Sequence, residues 1–522
     1  MSAAYQQTPS NAADFSPARE VFEKMVRHME SPTALGMSHE ELEQYLVTEG
    51  REAQRRMLQA HLQLRAAAER PVRVVGADEV PRDQRRRGTR NLMSLLGEVV
   101  VPRLIYQAMG TTSLAPLDAS LNLPADSFSL GVRRRVAEDV SNGSFDDAVE
   151  RVRGRTGARV AKRQAENLAR RAAMDFEAFY AARPVNDVTA RAELPILLSF
   201  DGAGIVMRTE DLRPATRREA EKQEADPRWP SKRLSKGQKK NRKRMAQVAA
   251  VYESEPFVRT AEDILHELRP VKDATEKRPR PKPVDKRVWA SVEHEAGEVI
   301  ADAFDEAERR DPEHKMPWVV LVDGNATQLQ SVYLEAARRK VEITVILDII
   351  HVLEYLWKAS YCFHKDGSKA AEEWVHKRLL MLLSGTSASD VAAGMRRSAT
   401  LQMLEKRDAV DTCAGYLCKY KKLLNYKAAL AAGFPIATGV IEGACRYIVR
   451  DRMDKTGARW SLLGAEAILK LRALRRSEDW DAYWEFHVRA EHQRNHASRY
   501  AAGLVPDPMP LEMRKPQLRR VK

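Results

Sequence analysis

Apolar residues recur at helical spacing in the first part of the chain and change to strand-like runs further on. Residues 15–70 keep the three- and four-residue apolar spacing that predicts helices. Ser38 and Glu41 have the spacing of a capping box, which marks the start of a helix. Residues 71–125 are irregular, apart from short apolar runs such as LGEVVVPRLIY at 96–106, which predict strands.

Residues 129–183 return to helical spacing and carry many basic side chains. A helix at about 130–140 is followed by one that opens at Ser144, with Asp147 three residues on. The turn RTGARV then leads into a long basic helix that ends before Pro184. This order is typical of a helix-turn-helix DNA-binding unit, although an ordinary helical hairpin has the same signals. In the DNA-binding interpretation, the contacts are made by Arg159, Lys162 and Arg163.

From residue 194 the apolar runs have the length of strands. The run ELPILLSFDGAGIVM predicts two strands joined by a tight glycine turn, and MAQVAAVY at 245–252 predicts a third. Further strands are predicted at 317–323 and 341–348, each preceded by a helix. A meander of three strands followed by two helical crossovers predicts an α/β RNase H-like core, with a mixed five-stranded sheet and helices on both faces.

Two of the predicted strands lead into Asp-Gly, at Asp201 and at Asp323, and Glu442 lies in the first turn of a later predicted helix. Side chains gather at the carboxyl ends of neighbouring strands in such sheets. Three carboxylates of this kind can hold two divalent metal ions, which suit phosphodiester chemistry. We therefore predict Asp201, Asp323 and Glu442 as metal ligands and catalytic residues, with two Mg²⁺ (or Mn²⁺) ions as cofactors.

A second chemical element is Asp348 followed by His351, where an Asp ends a strand and a His lies one turn into the next helix. In a functional interpretation, His351 contacts the scissile phosphate or transfers a proton, and Asp348 supports it. The alternative is an Asp that caps the helix and a buried His without catalytic work. The following residues, 349–432, are almost entirely helical in pattern and predict an all-α insertion before the final helices of the core.

The balance of charge is basic, with a formal net charge of +14, which is typical of a protein with a nucleic-acid partner but fits a merely basic enzyme equally well. The densest basic run lies in a predicted loop at 208–245. Arg82 and the run Arg85–Arg87 are either phosphate contacts or a solvated face. Arg446 and Arg450 follow Glu442 as phosphate clamps, or as partners of nearby aspartates. The predicted DNA contacts in the basic loop are Lys232, Arg233, Lys236, Lys239, Lys240, Arg242, Lys243 and Arg244.

Other sequence features narrow the class of protein. The chain has no apolar run of the roughly 18 residues that a membrane crossing needs, and its first residues do not have the pattern of a secretory signal. Four cysteines are too few for a disulfide framework and fit a reducing compartment. The pair Cys413 and Cys418 is interpreted as buried small hydrophobes. We expect a cytoplasmic protein without a membrane partner.

Several longer stretches match one family as a set: SFDGAGIVMR, LSKGQKKNRKRMAQVAAVY, WVVLVDGN, DIIHVLEYLWKA and GFPIATGVIEGACRYIVRDRMDKTGARW. Over about residues 195–490 the chain resembles bacterial insertion-sequence transposases of the Kra type (ISKra), a DDE family distantly related to Mutator-like transposases. The resemblance assigns the acidic triad to Asp201, Asp323 and Glu442. Some relatives carry paired cysteines where this chain has Tyr106, Gln107 and Gly110, so no zinc is predicted.

The resemblance implies a transposase that binds terminal inverted repeats in double-stranded DNA, cleaves a strand to leave a 3′-hydroxyl, and joins that end to target DNA. It implies a homodimer or larger assembly on DNA and a nucleoid-associated location in the bacterial cytoplasm. Two alternatives stay open. One is an RNase H-like nuclease or resolvase without strand transfer, and the other is a domesticated DNA-binding protein that has lost catalysis.

The sequence predicts six regions. They are an N-terminal helical and irregular region (1–128), a helix-turn-helix-like region (129–190), the first part of the catalytic core (191–348), the helical insertion (349–432), the final core helices (433–500) and a basic tail (501–522).

Overall fold

The computed structural model describes residues 14–184, 194–226, 240–268 and 279–509. The chain divides into two compact units, one formed by Met1–Tyr180 with Asp481–Lys522 and the other by Ala181–Trp480. Within the described ranges, every helix is too short or too polar to cross a bilayer.

Helices account for most of the regular structure. In chain order they are α1 (Ser16–Met29), α2 (Pro32–Leu35), α3 (His39–Ala68), α4 (Pro116–Ser120), α5 (Leu130–Asn142), α6 (Phe145–Arg155), α7 (Lys162–Ala172), α8 (Phe176–Ala181), α9 (Pro214–Glu224), α10 (Ala261–Leu268), α11 (Ala296–Arg310), α12 (Ala326–Arg339), α13 (Ile349–Ser360), α14 (Lys369–Leu383), α15 (Ala388–Leu401), α16 (Asp408–Lys419), α17 (Tyr426–Ala431), α18 (Gly439–Ala444), α19 (Asp451–Met453), α20 (Leu462–Arg476) and α21 (Trp480–Asn495).

The strands form two sheets. They are β1 (Gln84–Ser94), β2 (Gly97–Gln107), β3 (Ile196–Val206), β4 (Lys243–Glu253), β5 (Val284–Ser291), β6 (Trp318–Val322) and β7 (Ile343–Leu347). Short 3₁₀ segments occur at Thr209–Asp211, Lys421–Leu423, Lys455–Gly457, Ala497–Arg499 and Ala501–Gly503, and a π-helical turn occurs at Cys445–Arg450.

The first unit packs the long helix α3 against an antiparallel ribbon of β1 and β2. Leu62 of α3 joins Leu92 of β1 and Val101 of β2 in a shared apolar cluster. The capping box predicted at Ser38 is confirmed, because the Ser38 side chain accepts from the Glu41 amide and the Glu41 carboxylate accepts from the Ser38 amide. The ribbon confirms the strand predicted at 96–106.

Helices α5, α6 and α7 occupy the region predicted to resemble a helix-turn-helix, and the capping box at Ser144 is present. The single long helix predicted to reach Pro184 is wrong, because the chain breaks between α7 and α8. The break places the buried Asp175 carboxylate 2.7 Å from His487 Nδ1 of α21, where it also pairs with Arg494. Tertiary pairing of a buried carboxylate therefore overrides the local helical pattern.

The second unit is built on a mixed five-stranded sheet in the order β5-β4-β3-β6-β7, which confirms the predicted number of strands. Strands β3, β4 and β5 are antiparallel neighbours, whereas β6 and β7 run parallel to β3. The predicted strands at 317–323 and 341–348 correspond to β6 and β7. The sheet is mixed because its first half is a meander and its second half is reached through helices.

The predicted glycine turn after Asp201 is wrong, since β3 is one continuous strand that pairs with β4 over its whole length. Gly202 and Gly204 allow a close approach of neighbouring side chains instead. A Cβ added at Gly204 would lie 2.9 Å from Lys243 Cδ, and one at Gly202 would lie 3.0 Å from Met245 Cε. Glycine inside a strand marks such an approach as well as a turn.

The third strand of the meander is β5, in a stretch where the sequence pattern predicts no strand. Its first residues are exposed and only its second half is buried, so the alternation typical of a strand is weak. The predicted loop at 208–245 is also partly wrong, because Pro214–Glu224 forms α9. Pro214 stands at its first turn, and Arg217 pairs with Glu221 one turn on.

Helices cover both faces of the sheet, as predicted. Helix α11 packs on β3 and β4, and its Phe304 ring contacts Trp318, which pairs with Ile196 in the register of β3 and β6. Helix α18 and the π-helical turn also pack on β3, where Cys445 contacts Asp201. Ile196 and Asp201 are an odd number of positions apart along an unbroken strand, so they point to opposite faces.

The residues between β7 and α18 are helical, which confirms the predicted all-α character of 349–432. Helices α13 to α16 pack on one another through apolar faces, and the fully buried Tyr426 of α17 donates to the Leu347 carbonyl at the end of β7. The insertion is therefore tied to the sheet at the strand end that precedes Asp348.

Candidate active site

Asp201 lies in β3, and Asp323 directly follows the last residue of the neighbouring strand β6, at the edge of the sheet where that strand ends. The parallel register of β3 and β6 pairs Ser199 with Leu321, and each aspartate comes two residues after a member of that pair. Because side chains alternate along a strand, Asp201 is on the same face of β3 as Ser199. Asp201 and Asp323 are half-buried at this edge. The prediction that these two carboxylates meet has this register as its structural support.

The Asp201 carboxylate is held from two sides. Its Oδ1 accepts from the Gly202 amide at 2.6 Å, and its Oδ2 lies 3.2 Å from the thiol of Cys445. Burial, together with the negative field of Asp201, raises the pKa of Cys445 above its ordinary value. The thiol therefore stays protonated at neutral pH and donates to the carboxylate.

Glu442 is exposed on α18, one turn before Cys445. Its Oε1 lies 3.4 Å from the hydroxyl of Thr438, which is buried and lies 2.6 Å from Asp348 Oδ2. Thr438 thus links the helix that carries Glu442 to the end of β7. Contacts of this kind hold the helix of Glu442 against β3 and the end of β7.

Asp348 is fully buried and has both of the roles considered for it. It caps α13 by accepting from the Ile350 amide at 3.1 Å, and its Oδ2 lies 3.0 Å from His351 Nδ1. Burial raises the pKa of Asp348, but its hydrogen bonds to His351, Thr438 and Ile350 outweigh burial and hold the pKa below the ordinary value. Asp348 is therefore an ionised partner for the imidazole.

The His351 side chain is 38% exposed, so the interpretation as a buried histidine is wrong. Its hydrogen bond to Asp348, with a smaller contribution from the charge of Asp323, raises its pKa above 6.5. With Nδ1 directed at the Asp348 carboxylate, Nε2 is left for an outside partner. A partly exposed imidazole with a raised pKa is suited to contact a phosphate group.

The turn after β6 is fixed by tyrosines from the helical insertion. Tyr416 donates to the Asp323 carbonyl at 3.1 Å, and Tyr420 donates to the Gly324 carbonyl. Gly324 has φ of +93°, and a Cβ there would lie 3.2 Å from the Tyr416 hydroxyl, so glycine is required. The Asp323 Oδ1 atom caps the same turn by accepting from the Asn325 amide at 2.8 Å.

The helix that carries Glu442 widens into a π-helical turn at Cys445–Arg450. Such turns are frequent at functional sites because they redirect side chains within a helix. Arg446 and Arg450 are exposed, and Arg446 lies 3.8 Å from Asp451, which is a loose pairing. Trp460 is buried, and its Nε1 donates to the Met453 carbonyl, so this ring packs in the core.

The donor set at this edge fits a hard cation, because carboxylate oxygens are the ligands that Mg²⁺ prefers in proteins. As the side chains stand, no three His, Cys, Asp or Glu residues within the described ranges form a group that could hold a metal ion. Asp201 and Asp323 offer half-buried carboxylates, and Glu442 offers an exposed and adjustable one.

The other predicted DNA contacts are divided between the two units. In the first unit, Arg159 and Arg163 are exposed, and Lys162 lies 2.7 Å from Asp146. In the second unit, Lys240 and Lys243 are exposed, whereas Arg244 donates to the carbonyls of Asp211, Val292 and Glu293. Arg82 is buried and donates to Asp78 and to two backbone carbonyls. Arg242 is half-buried, and the remaining predicted contacts, Lys232, Arg233, Lys236 and Lys239, fall outside the described residues.

Three functional side chains have no local signal in the sequence: Cys445, Thr438 and Tyr416. Each acts through a partner that is distant along the chain, as in the contact between Cys445 and Asp201. A cysteine within an apolar helical stretch reads as a small core residue, and only the fold places it beside a carboxylate.

Comparisons with known proteins leave the family open. No protein-family model matches the chain. No curated protein matches it either.

Proposed function

We propose that this protein is a DNA transposase of the DDE type that cleaves the ends of an insertion sequence and joins them to target DNA. The observation that carries the proposal is the parallel register of β3 and β6, two residues beyond which lie Asp201 and Asp323, with the helix of Glu442 packed on β3 and β4. A meander of three strands followed by two parallel strands reached through helices supports an RNase H-like core. The resemblance to Kra-type transposases gives the same three acidic residues.

In this proposal, Asp201, Asp323 and Glu442 hold two Mg²⁺ ions. Ions bound in this way activate the attacking oxygen and stabilise the leaving oxygen of a phosphodiester. The Cys445 thiol fixes the orientation of Asp201, and the Tyr416 hydroxyl fixes the backbone of Asp323. Held carboxylates need less reorganisation when the substrate arrives.

His351 contacts the phosphate group in the proposed complex. Its pKa is raised by Asp348, so it carries a positive charge over a wider pH range than a free histidine. Arg446 and Arg450 add exposed guanidinium groups on the helix of Glu442. Guanidinium groups bind phosphate oxygens through paired hydrogen bonds, which would hold the DNA strand beside the carboxylates.

Metal-dependent cleavage of DNA tests the proposal. The substrate is a duplex taken from the DNA that flanks the coding sequence, with and without Mg²⁺, and a second labelled duplex serves as target. We expect the wild-type protein to nick the flanking duplex and to produce joined molecules with the target. Glu442→Gln should bind the same duplex and cut it at least 100-fold more slowly, because the variant keeps the shape and loses a charged ligand.

Glu373→Gln is the matched control, since Glu373 is exposed on α14 and its side chain is 66% accessible. This variant should cut as fast as the wild type. Cleavage without joined products would favour a nuclease or resolvase. If the wild type binds the duplex but does not cleave it in Mg²⁺ or Mn²⁺, the proposed enzymatic activity is overturned and a DNA-binding protein without catalysis is favoured.

A further inference from the structure

The first unit contains a cavity of about 440 Å³ that is lined by the β1–β2 ribbon and by residues at and after the end of α21. Its lining includes five arginines, which are Arg86, Arg90, Arg103, Arg494 and Arg499. Asp118 is the only acidic side chain among the described residues that line it. The cavity therefore has an excess of positive charge, which favours an anionic ligand.

The register of the ribbon explains why its arginines face the cavity together. Arg86, Gly88 and Arg90 alternate along β1 and share one face, and Arg103 of β2 is paired with Gly88. Gly88 leaves room on this face, since an added Cβ would meet the Ile105 side chain at 2.5 Å. Arg85 lies on the opposite face of the same strand.

Three of the arginines are anchored by the protein itself. Arg90 donates to the carbonyls of Pro124 and Asp126, and Arg103 Nε lies 2.8 Å from Asp118 Oδ1. Arg494 forms ion pairs with the carboxylates of Asp175 and Glu491. The side chains of Arg90 and Arg103 are 19% and 12% exposed. These arginines form a fixed basic wall.

Arg86 and Arg499 are exposed and make weaker internal contacts. Arg86 Nε donates to the Gln107 side chain at 3.2 Å, and Arg499 Nη2 donates to the Ser113 carbonyl at 3.1 Å. Each guanidinium carries five N–H donors, so most of its hydrogen-bonding capacity is available for a ligand. His496 lines the same cavity, but burial lowers its pKa to about 4, so it is neutral at physiological pH.

We propose that this cavity binds the phosphate backbone of double-stranded DNA through Arg86 and Arg499, with the anchored arginines as the basic wall behind them. The identity of the polyanion rests on the proposed function. Contacts to phosphates position a protein on a duplex without reading its sequence. The cavity would thus hold the DNA in register, separately from the helix that begins at Lys162 and is predicted to contact DNA.

Salt-dependent DNA binding tests the proposal with the full-length protein. Fluorescence anisotropy measures Kd for the flanking duplex and for an unrelated duplex of equal length, over a series of salt concentrations. We expect Arg86→Gln/Arg499→Gln to bind both duplexes roughly tenfold more weakly. Two lost phosphate contacts should also reduce the slope of log Kd against log salt by about 1.8.

The control is Arg19→Gln/Arg73→Gln, which removes the same charge from exposed residues of the same unit outside the cavity lining. This pair should leave Kd and the salt slope close to the wild-type values. The proposal is overturned if the cavity variant binds like the wild type, or if the control weakens binding equally. If DNA binding depends on Arg86 and Arg499 but the protein never cuts DNA, the proposed transposase function is refuted and the proposed binding cavity is not.

Discussion

The pair of Asp348 and His351 is the clearest case of one residue setting the chemistry of another. Asp348 is buried, and His351 is the only basic residue among its described hydrogen-bond partners. The carboxylate is ionised, and the imidazole is held by the same oxygen that binds Thr438. The cap, the histidine and the link to α18 therefore depend on one side chain.

A pH dependence follows from this pair. The hydrogen bond to Asp348 raises the pKa of His351 above 6.5 in the folded state. Its contribution to the free energy of unfolding is fully present below pH 6.5 and is lost as the pH rises through the raised pKa. Urea unfolding between pH 5 and pH 9 should show the wild type losing this stability relative to His351→Gln.

The matched control is His376→Gln, at an exposed position of α14. The difference in the free energy of unfolding between His376→Gln and the wild type should not show the same dependence on pH. The contribution of Asp348 has the opposite sign, because its pKa is lowered, and it is lost only as the pH falls below 3.8 through that lowered pKa. A difference between wild type and His351→Gln that stays constant with pH would contradict the assignment.

At the scale of elements, the tyrosines of the insertion tie α16 and the residues after it to the turn at the end of β6. Tyr416→Phe and Tyr420→Phe remove hydrogen bonds to the carbonyls of Asp323 and Gly324. We expect each variant to lower the free energy of unfolding by about 1–3 kcal/mol, since a part-buried carbonyl loses its partner. Chemical denaturation measures this loss.

Tyr333→Phe provides the comparison, because Tyr333 lies on α12 with 48% of its surface exposed. That variant should change the stability by less than about 0.5 kcal/mol. Equal losses at Tyr333 and Tyr416 would show that the hydroxyl contacts to the turn carry no specific stability. In the proposed transposase, the tyrosine variants should also slow cleavage while leaving the DNA affinity unchanged.

The sequence predicts much of this architecture because apolar runs and caps are local. Four of the five strands, the all-α insertion and the helix starts at Ser38 and Ser144 follow from patterns within a few residues. The strand β5 was missed because its first three residues are not buried and two of them are charged. The glycines in β3 were misassigned because glycine marks both turns and close packing, and only the register with β4 separates these uses.

The candidate site also has residues that the sequence could predict and residues that it could not. Asp201 and Asp323 could be predicted because each follows an apolar run, and parallel strands bring such positions together. Cys445 and Thr438 could not, since the contact of Cys445 with Asp201 joins residues separated by 244 positions. No spacing pattern among neighbouring residues predicts a contact between residues so far apart in the sequence. The order of the strands has to be known first.

At the scale of the whole molecule, two compact units each have a buried core. Leu168 of α7 and Leu198 of β3 are buried in the first and second units. We expect scanning calorimetry to resolve two transitions. A Leu→Ala change removes about 2–5 kcal/mol of stability, or roughly 4–20 °C in melting temperature for a unit of this size.

Leu168→Ala should shift one transition and Leu198→Ala the other, so each variant controls for its counterpart. A single transition that moves equally in both variants would show that the units unfold together. Titration with DNA should then raise the transition that Leu168→Ala identifies, if the arginine cavity binds the duplex.

The order of the strands in the sheet also bears on how the chain is made. Strand β3 is central, and its partner β6 lies about 120 residues later in the chain. At about 5–20 residues per second, a ribosome needs roughly 6–24 s to deliver that partner. During this interval the edge of β3 that later pairs with β6 has no partner strand, and β3 is almost wholly apolar. Soluble yield should therefore depend on the chaperones that meet the nascent chain, and should fall when translation outpaces them.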